Sequence, residues 1–213
     1  MKTYSNRYIF IYSAALVIVS ALILSVVSIS LKPRQERNQA VEKKQMILKA
    51  AGIVSTTQNA EQLYADNIRE VNILDRDSLP AYLYETNCII PVHGTGLWGP
   101  IWGYICFNED WVIEGAVFDH KGETPGLGGE ISTEAFARRF IGKSCTDSLL
   151  TQFVPIVLKK NADPNSLHEV DAISGGTMTS NGVTAMLEEC LSRYQEYMLT
   201  NAGLNSPAKN RKL

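Results

Sequence analysis

Between Asn87 and Phe118 the chain reads NCIIPVHGTGLWGPIWGYICFNEDWVIEGAVF. Three runs in it, NCIIPV, IWGYICF and WVIEGAVF, are rich in β-branched and aromatic residues, which pack well on a pleated surface. A glycine-rich segment separates the first two. Asn108, Glu109 and Asp110 make a hairpin connection between the second and third, because short polar side chains support turn backbones. The spacing predicts neighbouring strands of an antiparallel sheet.

Helices are expected on either side. Downstream, Ser132 to Phe140 reads as a short helix capped by Ser132 or Thr133, with Glu134 in its first turn, and Phe153 to Leu158 reads as a further strand. Val183, Met186, Leu187, Cys190, Leu191, Tyr194 and Met198 recur at helical spacing, so a last helix presents one apolar stripe to the core. The tail from Asn205 is expected to be disordered. Upstream, Asn59 to Ile73 reads as a helix, with Leu63, Ile68 and Val71 among its apolar positions. Before it, RQERNQAVEKKQMILKAAGI forms a charged stalk helix stopped by Gly52.

The first segment has a different character. Tyr8 to Leu31 is 24 residues without a charge, and about 20 apolar residues cross the hydrocarbon of a bilayer. A cleaved signal peptide is the alternative, since Lys2 and Arg7 form a basic start, but its apolar region is usually only about 7–15 residues long. The fold class is therefore α+β, one transmembrane helix followed by an antiparallel sheet flanked by helices. The expected divisions are a membrane anchor over 1–33, a helical stalk over 34–80, a compact domain over 81–204 and a tail over 205–213. Lys32, Arg34 and Arg37 match or exceed the basic residues ahead of the span, so the charge rule leans weakly towards a cytoplasmic domain.

Composition excludes some functions. Twenty basic residues stand against 22 acidic ones, which gives no electrostatic footprint for nucleic acid. Cys88, Cys106, Cys145 and Cys190 are scattered and form no C-x-x-C pair, so they read as small buried hydrophobes. His93, His120 and His168 are equally dispersed, so no metal centre built from this chain alone is expected.

The chemistry gathers in two loops. Asp171-Ala172-Ile173-Ser174-Gly175-Gly176-Thr177-Met178-Thr179-Ser180 leads into the last helix, where free N–H groups and the helix dipole attract phosphate. A well-formed helix start has the same composition, so this pattern leaves both readings open. The loop is no Walker A, for it lacks the G-x-x-x-x-G-K-[ST] frame. Release of an N-terminal threonine nucleophile is equally excluded, because too little chain follows Thr177 to form a catalytic domain. Glu123-Thr124-Pro125-Gly126-Leu127-Gly128 reads, taken alone, as a Pro-Gly turn.

Family resemblance sharpens both. DAISGGT, Asp171 to Thr177, resembles the flavinylation sequence D-x-x-S/T-G-A-T of the covalent-FMN domain family, with Gly176 where alanine is usual. Glu123 to Gly128 resembles the family's E-T-P-G-L-G loop, and Gly94 to Gly103 its earlier G-x-G-L-W stretch. With the anchor and stalk, these segments span nearly the whole chain and look like the C subunits of sodium-translocating NADH:quinone oxidoreductases. The G subunit of RNF complexes is the close alternative, and a membrane-tethered small-anion sensor is a more distant one.

The resemblance implies an electron-carrying subunit with FMN joined to Thr177 through a phosphoester. It implies Ser174, Gly175, Gly176 and Asp171 around the phosphate, and Thr124, Leu127, Leu97 and Trp98 around the ring. Lys159 is a further charge that could stand near the phosphate, although a solvated lysine at a strand end is the commoner arrangement. The implied partners are the other subunits of the membrane complex and a transferase that takes FMN from FAD. The flavin domain would face the periplasm, against the lean of the flanking charges.

Overall fold

The computed structural model describes residues 5–73 and 79–202, the last two by backbone alone. It divides into two compact units, one ending at Lys43 and the other beginning at Lys44.

In the first unit the apolar segment lies in helix α1 (Asn6–Ala50), and its best window has a mean hydropathy of 2.7. It is long and apolar enough to cross a membrane, and its large side chains from Tyr8 to Leu31 are exposed. Pro33 lies inside α1 and does not end the helix. It removes one hydrogen bond of the ladder, and the long helical flanks on both sides keep the rest.

The second unit takes in the end of α1, where Met46, Ile47, Leu48 and Ala50 are buried. Gly52, at φ +79°, stops the helix as expected. Its N–H bonds the Lys49 carbonyl at 3.1 Å and the Ile53 N–H bonds the Leu48 carbonyl at 2.8 Å, which is the Schellman pattern that satisfies terminal carbonyls.

Five strands then form an antiparallel meander in sequence order: β1 (Arg69–Ile73), β2 (Leu79–Tyr84), β3 (Asn87–Thr95), β4 (Pro100–Phe107) and β5 (Ile113–His120). The three expected runs are β3, β4 and β5. Asn108 makes the turn between β4 and β5, its side-chain oxygen accepting the N–H groups of Asp110 and Val112 at 3.0 Å each. The expected helix over Asn59–Ile73 is corrected: α2 covers only Ala60–Asn67, and Arg69–Ile73 pairs with β2 as a strand. Ladder pairing with residues six to fourteen positions on outweighs the weak local helical spacing. The sheet thus begins well before residue 81.

After β5 a 3₁₀ turn (Gly128–Ser132) leads to the one-turn helix α3 (Glu134–Ala137) and a second 3₁₀ turn (Arg138–Phe140). Thr133 is the cap, accepting from the Phe136 N–H at 3.3 Å. The strand expected over Phe153–Leu158 is instead β6 (Val157–Lys159), parallel to β7 (Glu169–Asp171), with Phe153 in an isolated bridge to Thr146. The final helix expected from sequence is two helices, α4 (Thr177–Ser192) and α5 (Gln195–Ala202), and the break between them interrupts the expected stripe. All seven stripe residues are nevertheless buried. The tail from Asn205 lies outside the described residues.

The core lies between the sheet and α4, where Val183, Met186, Leu187 and Leu191 meet Ile90, Val92, Ile101 and Ile105. Phe118, Phe136 and Phe140 close one end with centroid separations of 4.9–5.6 Å. All four cysteines are free and buried, and burial pushes the Cys88, Cys106 and Cys145 thiols up to about 12.

Candidate functional site

β7 delivers the loop Ala172–Gly176 to the start of α4. The Ala172 N–H bonds the Lys159 carbonyl at 2.9 Å, and the Gly176 N–H bonds the Ile173 carbonyl at 3.0 Å, which folds the loop tightly. Gly175 sits at φ +75°, a left-handed conformation that favours glycine, and a Cβ there would stand 2.7 Å from the Leu127 side chain. Gly176 takes the cap position and has no side chain to cap the helix. The first-turn N–H groups therefore have no side-chain acceptor, which suits them to receive an anion.

Three hydroxyls stand at this helix start, and they differ. Thr177 is exposed. Thr179 and Ser180 are both only 1% exposed. The Thr179 hydroxyl donates to Glu123 Oε2 at 2.5 Å, and Ser180 Oγ accepts from the Ile173 N–H at 3.1 Å. They cannot act as interchangeable surface hydroxyls, as the run of hydroxyls in the sequence would allow. Ser174 is the other exposed hydroxyl of the loop.

Glu123 connects the loops. Its side chain is 4% exposed, and Oε1 accepts from the Trp98 N–H at 2.8 Å while Oε2 accepts from Thr179. Burial by itself would raise its pKa. The Thr179 hydroxyl and the N–H groups of Trp98, Gly99 and Leu97 outweigh burial and hold the carboxyl below the ordinary carboxylate range. His120 turns its ring towards the same corner, Nδ1 accepting from the Glu123 N–H at 3.3 Å.

Around this point the chain leaves apolar side chains in solvent. Trp98 is 69% exposed, and Leu97, Leu127 and Met178 are exposed as well. Leu97 and Trp98 sit on the loop between β3 and β4, Leu127 on the loop after β5, and Met178 beside Thr177. Exposed large apolar groups on elements that converge in space mark a ligand or partner surface rather than a core. An uncapped helix start with an exposed hydroxyl beside an aromatic and aliphatic rim matches a ligand that joins an anion to a flat ring.

The other residues singled out in the sequence divide. Thr124 belongs to the turn after β5, its carbonyl accepting the N–H groups of Leu127 and Gly129 at 3.1 and 2.9 Å. Asp171 is exposed and its carboxylate accepts the Ala162 N–H at 2.9 Å, so it braces the β6–β7 end. Lys159 directs its ammonium to Glu169 at 2.6 Å, the arrangement of a solvated strand-end lysine. Glu123 and Thr179 are site residues that sequence reasoning missed as a pair. Both lie in the quoted motifs, but a contact across 56 positions leaves no local pattern.

The chain is similar to known proteins in sequence and in fold. The model of the FMN-binding domain family matches residues 96–192. The C subunit of the Na(+)-translocating NADH-quinone reductase of Pasteurella multocida (strain Pm70) is 30% identical over 212 aligned residues, covering 76% of this chain and 81% of the relative. The crystal structure of the corresponding C subunit from Parabacteroides distasonis ATCC 8503 superposes with a TM-score of 0.70 at 34% identity, covering 79% of this chain and 96% of that one. NqrC of Shewanella oneidensis shares the fold, with a TM-score of 0.63 at 20% identity, over 78% of this chain and 99% of that one.

Proposed function

Because the chain belongs to the family of Na(+)-translocating NADH-quinone reductase C subunits, we propose that it carries FMN covalently on Thr177 and relays electrons between redox centres of neighbouring subunits. Family membership favours this reading over an RNF-type G subunit or a tethered anion sensor. The observation that carries the attachment site is the contrast among hydroxyls at the start of α4. Thr177 is exposed there, while Thr179 and Ser180 are buried and bonded.

When bound, FMN supplies one- and two-electron redox chemistry, and the protein contributes position and electrostatics. The N–H groups at the start of α4 hold the phosphate, aided by the positive end of the helix dipole, worth roughly 0.3–1 kcal/mol. Ser174, Gly175 and Gly176 let the loop wrap that phosphate closely. Leu97, Trp98, Thr124 and Leu127 would border the ring. Asp171 ends β7 just before this loop and braces the β6–β7 connection through Ala162, and Lys159 stands on the neighbouring strand paired with Glu169.

Attachment needs a separate transferase with FAD and Mg²⁺. Thr177 Oγ1 forms a bond to the phosphorus of the FMN half of FAD, the pyrophosphate P–O bond breaks, and AMP leaves as the hydroxyl proton is lost. The Tyr8–Leu31 segment of α1 anchors the chain in the inner membrane, and the domain faces the periplasm.

The test is co-expression with the transferase. Thr177→Ala is expected to abolish flavin fluorescence of the denatured band in a gel, while Ser174→Ala retains it. Thr179→Ala is a poor control, since it removes a hydrogen bond from a buried carboxylate. A fluorescent Thr177→Ala band would place the attachment elsewhere and end this reading.

A further inference from the structure

Among the described residues, Glu123 is the charged side chain that lies buried. A buried carboxylate persists as an anion only when its oxygens are fully hydrogen-bonded, and here the donors are backbone N–H groups and one hydroxyl rather than a cation. The surroundings are cut to fit it. A Cβ at Gly96 would stand 2.6 Å from Oε1, and one at Gly128 would collide with Oε2 and with the Thr179 hydroxyl. Two glycines of two separate loops thus give way to the same carboxylate.

The two oxygens face different parts of the site. Oε1 takes the Trp98 N–H on the β3–β4 loop, and Oε2 takes the hydroxyl of Thr179 in the first turn of α4, two residues after Thr177. One side chain thus ties the exposed Trp98 to the helix start that bears Thr177, beside the close backbone approach of the end of β3 to α4 at Gly182. The Leu97 and Gly99 N–H groups turn to the same carboxylate, and the base of the β3–β4 loop is closed by the Gly96 N–H to the Gly99 carbonyl at 2.8 Å.

We propose that Glu123 is a positioning residue that clamps the Leu97–Trp98 loop to the first turn of α4 and so fixes the orientation of the ring borne by Thr177. This rests on Thr177 being the attachment site. Charge-assisted hydrogen bonds are about twice as strong as neutral ones, so the clamp depends on the carboxylate and not on shape alone. Glutamine keeps the shape but has one acceptor oxygen and an amide that only donates. It can serve one end of the clamp as an acceptor, not both.

The experiment compares full-length wild type, Glu123→Gln and Thr177→Ala, each co-expressed with the transferase and purified in detergent. Three measurements are made: the mass of the Thr177 peptide, hydrogen exchange along the chain, and circular dichroism of the flavin bands. In Glu123→Gln the FMN mass on Thr177 is retained. The amides of residues 97–99 exchange about tenfold faster or more, as expected for local loosening, while those of β3–β5 keep their rates, and the flavin dichroism changes. Wild-type exchange at 97–99 overturns the proposal, and so does an equal acceleration across the whole domain. A loosened loop with unchanged flavin dichroism overturns the orienting role. Absence of FMN mass on the wild-type Thr177 peptide refutes the attachment reading, and ring orientation falls with it. Exchange at 97–99 with Glu123→Gln added to Thr177→Ala still decides the clamp in protein that carries no flavin on Thr177.

Discussion

Replacing Gly94 by alanine sets two effects against each other, and the geometry says which prevails. Gly94 lies on β3 facing α4, and a Cβ there would stand 2.7 Å from Met186 Cβ, 3.1 Å from its Cγ and 3.4 Å from its Cα. Carbon atoms are at ease at about 3.5–4.0 Å. Met186 Cβ is fixed to the helix backbone, so no rotamer change relieves the overlap, and α4 must shift by about 1 Å. Overpacking of this kind costs about 1–3 kcal/mol. Against it, removing a glycine from the unfolded chain stabilises by about 0.4–1 kcal/mol. The net expectation is a loss of about 1–2 kcal/mol, or a fall in Tm of roughly 2–8 °C for a domain of this size. Thermal unfolding followed by far-ultraviolet circular dichroism measures it. Because α4 also carries Thr177, FMN incorporation should fall in parallel. A Gly94→Ala protein as stable as wild type, or more so, would refute the claim that β3 and α4 meet at backbone distance.

A truncation beginning at Arg34 retains Met46, Ile47 and Leu48, which pack in the second unit, and removes the apolar span; it should be soluble and folded by circular dichroism, and an aggregated, unfolded product would argue against a self-contained domain. Val54 is 92% exposed and the native cysteines are all buried, so Val54→Cys should react with an impermeant thiol reagent on intact spheroplasts; labelling only after lysis would put the domain on the cytoplasmic side. The lowered pKa of Glu123 means that the folded state binds its proton less readily than the unfolded state. Its stabilising contribution is then present above the ordinary glutamate range and lost as pH falls from that range through the folded value. Stability should therefore decline more steeply with acid in wild type than in Glu123→Gln, and identical slopes in denaturant titrations at several pH values would remove the carboxylate from the account.

Several features of this protein are written in neighbouring residues and need no tertiary information. Twenty-four uncharged positions define the apolar length of α1. Three β-branched runs define β3, β4 and β5, Gly52 ends α1, and the stripe from Val183 to Met198 defines the buried face of the last helices. Each is a period or a punctuation mark, and local sterics and burial enforce it wherever the chain goes. The two glycine-bearing loops are legible too, since a glycine before a helix start is a local signal. Arg69–Ile73 reads as helix because five residues carry too little period to oppose their helical neighbours, and only the ladder with β2 makes them a strand. The DAISGGT resemblance singles out Thr177 in the sequence, but only the tertiary structure supplies a physical contrast with the neighbouring hydroxyls: α4 turns Thr179 and Ser180 inward at spacing that brings one to Glu123 and the other to Ile173. The same applies to Glu123, which in sequence is part of a turn. Its carboxylate becomes the junction of three segments because the sheet brings their ends together at one end of α4, and a buried charge must take its hydrogen bonds from whatever the fold places within reach.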